Sequence, residues 1–362
     1  MPKSLYVHIP FCSHICHYCD FSKLLYDEKW AISYIKELKK EILSFGIDRK
    51  LDTIYVGGGT PTVLNNELLN DLFSFLEKYI KDDGEFSVEG NPENITEEKL
   101  SILKNHKVNR LSIGIQSSND EYLAFLGRKH TFEESKRAIS LAKREGFNNI
   151  SSDLIYAFPN ETIEDVKKDI DALLSLDIDH LSTYSLTVSK GTSFYNRGYK
   201  EADDELSAKM YELILSSFRE KGYERYEVSN FARNNKYSRH NLTYWHDEEY
   251  YGAGLGASGY VNNIRYTNTR SLKEYLEGKY VKEKEILTEN SQLEDYFLTN
   301  LRLASGFKKS DFEKRFSFSF ESKYKNQFDK LHKEGLLDDN GISIYPTDKG
   351  ILLLDRILIE LF

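Results

Sequence analysis

Cysteine, proline and excess positive charge are all scarce in this sequence, which has three cysteines and six prolines. Its 49 lysines and arginines are outnumbered by 58 aspartates and glutamates, so the formal net charge is −9. An acidic chain lacks the basic surface that attracts a nucleic-acid backbone or an anionic lipid headgroup. We therefore expect no nucleic acid among its partners.

Long hydrophobic runs are also missing. No stretch approaches the roughly 18 uninterrupted apolar residues that suggest a membrane-spanning helix. The first residues, MPKSLYVHIPFC, pass directly into a strand-like segment without the basic region and apolar core of a signal peptide. We expect a cytoplasmic protein without stable membrane insertion, in a compartment where thiols stay reduced.

The three cysteines lie within eight residues, as Cys12, Cys16 and Cys19 in CxxxCxxC spacing. An odd, clustered set in a reduced compartment makes a poor disulfide framework. Three thiolates on one loop can bind three corners of a [4Fe-4S] cluster, whereas electron-transfer clusters normally use four. Because the chain has no further cysteine, the fourth iron is predicted to be open to a small bidentate ligand.

Two other interpretations of the cysteine motif remain open at this point. Zinc could bind the thiolates together with His14 or His17, or the thiols could be buried and unreactive. Zinc, however, favours closed sites with four ligands, usually built from shorter CxxC pairs.

Short apolar runs alternate with amphipathic helical patterns over the first half of the chain. The predicted strands are Leu5–Ile9, Thr53–Val56, Phe86–Glu89, Arg110–Ile115, Ser152–Tyr156 and His180–Leu186. Alternating strands and helices indicate parallel βαβ units in an α/β protein. Six units without a GxGxxG motif favour a partial (β/α)6 barrel over a dinucleotide-binding sheet.

The pattern divides the chain into three predicted parts. Residues 1–222 form the barrel, and 223–289 form an extension rich in tyrosine and asparagine. Residues 290–362 read as helices around a short strand, which resembles a small winged-helix unit without a basic face for DNA.

Polar or glycine-rich residues follow the predicted strands of the barrel. Gly57-Gly58-Gly59-Thr60-Pro61 follows the second strand and Glu89-Gly90-Asn91-Pro92 follows the third. Because barrels of this kind carry their chemistry at the carboxyl ends of the strands, we expect one shared site there.

The CxxxCxxC motif on such a barrel resembles the radical S-adenosylmethionine superfamily. Tyr6 to Phe21, together with GGGTPT at 57–62, is similar to the branch that contains oxygen-independent coproporphyrinogen III oxidase and its haem-chaperone relatives. The resemblance covers nearly the whole chain. It implies that S-adenosylmethionine binds the open iron. The residues implied in its binding are Tyr6, Tyr18, Gly58, Gly59, Thr60, Glu89, Gln116, Arg128, Asp153 and Thr187.

Within those ten residues, the resemblance implies separate roles. The GGT segment takes the methionyl amine and carboxylate, where glycines allow close backbone approach. Glu89 contacts the same part of the ligand. Gln116, Arg128 and Asp153 bind the ribose and carboxylate region. The two tyrosines line the ligand beside the cluster, and Thr187 makes a last, weaker backbone contact.

One difference separates the two functions known in this branch. The oxidase pattern continues with a further cysteine two residues after the third, where this chain has Phe21. The motif His240-Asn241-Leu242-Thr243-Tyr244-Trp245 resembles the HNxxYW motif of the haem chaperones. The resemblance implies a haem carrier that delivers haem to an acceptor protein.

We expect His240 to ligate haem iron, with Tyr244 and Trp245 offering apolar area, and to face the open side of the cluster site. A structural loop is the simpler alternative for this motif. A radical enzyme acting on coproporphyrinogen or another tetrapyrrole is the alternative function, and a radical enzyme with an unrelated substrate is a third.

Overall fold

Seventeen strands and fifteen helices make up the computed structural model, which describes residues 1–362. The strands are β1 (Ser4–Ile9), β2 (Phe11–Cys12), β3 (Leu24–Leu25), β4 (Leu51–Gly58), β5 (Ile80–Gly90), β6 (Arg110–Gln116), β7 (Ile150–Tyr156), β8 (His180–Ser185), β9 (Glu224–Arg225), β10 (Asn230–Ala232), β11 (Tyr251–Ala253), β12 (Ser258–Val261), β13 (Ile264–Asn268), β14 (Val281–Ile286), β15 (Phe307–Lys308), β16 (Leu337–Asp339) and β17 (Ser343–Pro346). The helices are α1 (Glu28–Ser44), α2 (Asn66–Leu76), α3 (Glu97–Asn105), α4 (Asp120–Leu126), α5 (Phe132–Arg144), α6 (Ile163–Leu174), α7 (Ser193–Asn196), α8 (Asp204–Glu220), α9 (Arg239–Trp245), α10 (Leu272–Leu276), α11 (Glu289–Asn300), α12 (Lys309–Phe316), α13 (Phe320–Lys333), α14 (Asp348–Leu352) and α15 (Leu354–Leu361).

A nine-stranded sheet positions the candidate site. Its order is β11-β1-β4-β5-β6-β7-β8-β10-β9, and every pair from β11 to β8 is parallel. All six strands expected from the apolar runs are therefore present, as β1 and β4 to β8. Their carboxyl ends lie side by side, because Ile9 pairs with Gly58 and Tyr156 pairs with Ser185.

Local sequence signals explain where the connecting helices begin. Thr131 and Glu134 form a capping box at the start of α5, and Thr162 and Asp165 form another at the start of α6. Each box satisfies backbone N–H groups that a helix otherwise leaves without partners. The buried faces of the helices and sheet share one hydrophobic core of 52 residues, which makes the barrel a rigid platform for the strand ends.

The extension contributes short strands to the large sheet. It supplies β9 and β10 next to β8, in antiparallel orientation, and β11 next to β1. These strands have only two or three residues each, too few to show an alternating pattern in the sequence. A second sheet, β12-β13-β14, follows.

The C-terminal part has its own core of 15 buried residues between Leu293 and Leu361, packed around the small sheet β15-β17-β16. Contacts of arginine side chains help to fasten it to the extension. The Arg302 guanidinium lies 4.6 Å from the centre of the Trp245 ring, and Arg315 forms an ion pair with Asp247 at 2.6 Å. None of the helices combines the length and hydropathy needed to cross a bilayer.

Candidate functional site

The cysteine loop begins where β2 ends, above the carboxyl ends of the barrel strands. Cys12 is the last residue of β2, which pairs with β3, so both ends of the loop are held by backbone hydrogen bonds. His8 secures it from below, since its Nε2 donates to the Ser22 carbonyl at 2.7 Å. Burial lowers the pKa of His8 to about 4, so the neutral ring accepts at Nδ1 from the Tyr6 hydroxyl at 2.9 Å.

Two of the three thiols lie in surroundings that resist ionisation. Burial raises the pKa of Cys12 to about 12, and burial also raises the pKa of Cys19. The Arg128 guanidinium lies 3.7 Å from the sulfur of Cys16. A metal or cluster that replaces the protons is the natural partner of such thiols.

The side chains do not converge on one ion. No group of three or more histidines, cysteines, aspartates or glutamates is arranged around a single metal position. A cubane cluster holds each thiolate on a different iron and does not require that convergence. The arrangement thus fits a cluster better than the zinc site that the sequence left open.

Two glycines at the end of β4 are required by the close approach of neighbouring chain segments. Gly58 has φ 118°, and a Cβ there would lie 2.6 Å from the His8 ring. A Cβ at Gly59 would lie 2.7 Å from the Phe11 carbonyl oxygen and 2.8 Å from the Cys12 sulfur. Any other residue would push this segment away from the cysteine loop, so a simple tight turn does not explain the GGGT sequence.

Two acidic side chains face the same space. The Glu89 carboxylate accepts hydrogen bonds from the Tyr55 hydroxyl at 2.8 Å and the Gly58 backbone N–H at 2.9 Å. Burial raises the pKa of Glu89 to about 7 and the pKa of Asp153 to about 6. A cationic ligand beside them would restore their charged forms.

Several buried polar atoms next to these carboxylates have no partner in the protein. Gln116 Oε1 and Arg128 Nε are both unpaired, although the Arg128 Nη2 donates to Asn91 at 2.8 Å and to the Gly114 carbonyl at 2.7 Å. Because buried polar atoms normally have partners, these atoms point to a polar ligand. The residues present therefore fit an S-adenosylmethionine-sized ligand beside a cluster.

One cavity of about 480 Å³ brings these residues together. Its walls contain all but one of the residues expected for the cluster and cosubstrate: Cys12, Cys16, Tyr18, Cys19, Gly58, Gly59, Thr60, Glu89, Gln116, Arg128, Asp153 and Thr187. The exception is Tyr6, which lies one layer below, bonded to His8 and stacked on Tyr55.

Two further residues of this cavity, which sequence reasoning did not assign to the ligand, are Asn91 and Tyr184. Asn91 donates to the Thr60 hydroxyl at 3.0 Å and accepts from Arg128, so it joins two strand ends. Its place in the Glu-Gly-Asn-Pro segment was a usable signal. Tyr184, at the end of β8, lies within a strand pattern and gave no signal of its own.

The structure corrects the expected position of His240. Its side chain is fully buried, with Nδ1 bonded to the Thr53 hydroxyl at 2.8 Å and Nε2 to the Tyr244 hydroxyl at 2.7 Å. Thr53 lies in the amino-terminal half of β4, away from the cluster end of the strands. His240 therefore does not face the cluster site, and neither ring nitrogen is free for haem iron. Trp245 packs against the Arg302 guanidinium.

Replacing His240 with alanine should lower the free energy of unfolding by about 2 to 4 kcal/mol, because it leaves a void and two buried hydroxyls without partners. Denaturant unfolding of the variant measures this change. His246→Ala, at an exposed position six residues along, is the control and should stay within about 0.5 kcal/mol of wild type. Equal stability of the two variants would contradict the buried network.

The barrel, the three thiols on one loop and the polar cavity beneath them define a radical S-adenosylmethionine protein. Comparison with known proteins agrees: residues 6–173 match the model of the radical SAM superfamily, and 287–353 match that of the HemN C-terminal domain. The heme chaperone HemW of Lactococcus lactis is 41% identical, covering 97% of this chain and 95% of the relative. That of Bacillus subtilis is 37% identical, covering 97% of each.

The chain belongs to the HemW family of the radical SAM superfamily. Among solved structures, the coproporphyrinogen III oxidase HemN from Escherichia coli shares the fold, with a TM-score of 0.86 and 24% identity over 99% of this chain and 90% of that one. This likeness confirms the α/β fold expected from the sequence. The superfamily implies a [4Fe-4S] cluster and S-adenosylmethionine, and the thiols and unpaired polar atoms fit both.

Proposed function

We propose that this chain is a haem chaperone, which binds haem and passes it to an acceptor protein in the cytoplasm. The observation that carries the proposal is the near full-length similarity to relatives named heme chaperone HemW. A [4Fe-4S] cluster and S-adenosylmethionine belong to this function as resident groups.

The cluster is assigned to Cys12, Cys16 and Cys19, and its open iron to the amine and carboxylate of S-adenosylmethionine. When bound, the cluster together with S-adenosylmethionine would supply a centre that accepts one electron. The chain's own residues bind and orient the ligand. We assign the methionyl end to the backbone at Gly58, Gly59 and Thr60 together with Glu89, whose carboxylate already accepts from the Gly58 N–H.

The rest of the ligand is assigned to the opposite wall of the cavity. The free Oε1 of Gln116 suits a ribose hydroxyl, and the unpaired Nε of Arg128 can donate to a ligand oxygen beside it. Asp153 and Glu89 place two carboxylates near a ligand that carries a sulfonium and an ammonium group. Tyr18 and Thr187 line this space, whereas Tyr6 acts through His8, by holding the cysteine loop.

Phe21 favours a carrier over an oxidase. It occupies the position of the oxidase's additional cysteine, and its side chain is 63% exposed at the mouth of the cavity. An exposed aromatic ring there offers apolar surface but no thiol. We therefore expect no conversion of coproporphyrinogen III to protoporphyrinogen IX.

Haem titration of the anaerobically reconstituted chain tests the proposal. The expected result is saturable binding with a shifted Soret band, followed by transfer of the haem when an apo-haem protein is added. Absence of binding by the wild-type chain would refute the chaperone function.

An anaerobic coproporphyrinogen assay with a reductant and S-adenosylmethionine is the companion measurement. Product formed by wild type and absent from Cys12→Ala would show an oxidase instead. Haem binding without product supports the carrier.

A further inference from the structure

The HNxxYW motif lies beneath the cluster cavity, and none of its residues belongs to the cavity wall. It forms helix α9, whose first backbone N–H groups, on Arg239 and His240, donate to the Glu85 carboxylate at 3.1 and 3.0 Å. Glu85 lies four residues before Glu89 on β5, and side chains four residues apart share one face of a strand. The motif is therefore seated on the same face of β5 as the carboxylate assigned to S-adenosylmethionine, nearer the amino end of the strand.

Alternate residues of β4 connect the motif to that carboxylate. Thr53, Tyr55 and Gly57 share one face of the strand. The Thr53 hydroxyl bonds to His240 Nδ1 at 2.8 Å, and the Tyr55 hydroxyl donates to Glu89 at 2.8 Å. A Cβ on Gly57 would lie 2.8 Å from the carboxyl carbon of Glu89, so the glycine leaves the space that the carboxylate occupies.

The Tyr55 ring joins the two layers. It is stacked on the His240 ring, with centres 5.3 Å apart and planes at 29°, and on the Tyr6 ring at 6.2 Å and 28°. Aromatic pairs at such distances attract each other beyond the area that they bury. Burial raises the pKa of Tyr55 well above its ordinary value, so the hydroxyl keeps its proton and donates to Glu89. The position of the His240 ring thus sets the position of this donor.

His240 is itself fixed by neutral partners. Burial lowers the pKa of His240 to about 3, so the ring is uncharged, with one nitrogen as donor and the other as acceptor. The Thr53 hydroxyl bonds to one nitrogen, and the hydroxyl of Tyr244, from the motif itself, bonds to the other at 2.7 Å. A ring with both nitrogens bonded inside the protein is suited to support its neighbours.

Asn241 reaches the same region of the barrel. A small polar cavity of about 70 Å³ has Asn241, Tyr55, Glu89 and Asp153 in its walls. The second residue of the motif therefore adjoins both carboxylates that face the ligand space of the cluster cavity.

We propose that the HNxxYW motif forms the floor of the S-adenosylmethionine site, with His240 and Tyr55 as positioning residues for Glu89. His240 fixes the Tyr55 ring by stacking. The Tyr55 hydroxyl then holds one oxygen of the Glu89 carboxylate, while the Gly58 N–H holds the other. Neither positioning residue lines the cluster cavity. This inference rests on the proposed assignment of Glu89 to the ligand and adds a role for the motif.

Tyr55→Phe tests the hydroxyl, because it keeps the ring and both stacks. We expect about tenfold weaker S-adenosylmethionine binding, the loss typical of one hydrogen bond to a charged group, with unchanged iron and sulfide content. The measurement is the concentration of ligand that half-completes the EPR change of the reduced cluster. Tyr211→Phe is the control, since its buried hydroxyl donates to the Val228 carbonyl at 2.6 Å, outside the cluster cavity, and it should bind as wild type. Wild-type affinity in Tyr55→Phe would overturn the proposal.

A Glu89→Ala background tests whether Tyr55 acts through the carboxylate. With that acceptor removed, adding Tyr55→Phe should change the affinity by less than about twofold. A tenfold loss in both backgrounds would overturn the path through Glu89. Full affinity of Glu89→Ala alone is a different result, because it refutes the assignment of Glu89 to the ligand.

Two variants of His240 separate positioning from stability. His240→Phe and His240→Ala both lose the two hydrogen bonds of the imidazole, but only phenylalanine keeps a ring against Tyr55. We expect His240→Phe to bind S-adenosylmethionine within about twofold of wild type and His240→Ala to bind it about fivefold more weakly. Equal affinity of the two variants, at either level, would overturn the stacking role of His240.

Discussion

Replacing Cys16 with alanine should abolish the cluster, so that iron and acid-labile sulfide fall from about four each per chain to near zero. The loop provides three thiolates and the chain has no other cysteine, so no thiol can substitute. The unoccupied corner would expose a second iron to solvent, and the cluster would be lost during reconstitution. Iron and sulfide analysis and the visible absorbance of the cluster measure the effect.

Ser13→Ala provides the matched control, because Ser13 is exposed in the same loop and carries no thiol. It should retain full iron and sulfide content. A Cys16→Ala protein with the iron content of wild type would show that the cluster assignment is wrong.

Changing Gly58 to valine should weaken S-adenosylmethionine binding by roughly a hundredfold, equivalent to about 2.7 kcal/mol. Gly58 has a positive φ that valine strongly disfavours, and its Cβ would collide with the His8 ring. The segment must then move, which separates the Gly58 N–H from Glu89 and closes the backbone approach to the ligand. The measurement is the change that S-adenosylmethionine causes in the EPR signal of the reduced cluster.

Gly191→Val is the control that distinguishes general backbone strain from the loss of space beside the ligand. Gly191 also has a positive φ, of 90°, but its Cβ would meet no atom within 4 Å. This control should keep the EPR response of wild type. An unchanged response in Gly58→Val would exclude the glycine segment from the binding site, and no response in wild type would refute the open iron.

Much of the site was predictable because its signals are local. Thiol spacing within eight residues defines a cluster loop whatever the rest of the chain does, and the glycines and Glu89 lie where apolar runs end. In a parallel sheet those ends come together at one edge, so their residues could be expected to share a cavity. The assignment of each residue to a part of the ligand came from resemblance and remains a prediction.

The position of His240 could not be predicted from local sequence patterns. The HNxxYW motif suggested a ligand for haem, but its imidazole bonds to Thr53, 187 residues earlier in the chain. Which segment a buried polar group meets depends on how distant parts of the chain return to the sheet, and no local pattern records that. Strand β11 was not predicted for the same reason, since its three residues form a strand by pairing with the distant β1.

The sequence by itself determined the cluster loop, the six parallel strands and the polar residues at their ends, because spacing and periodicity act over a few residues. Only the tertiary structure decided that His240 of the HNxxYW motif is buried, that Tyr6 lies below the site, and that Asn91 joins two strand ends. Those outcomes depend on packing between elements far apart in the chain, where burial and the pairing of polar groups are settled together.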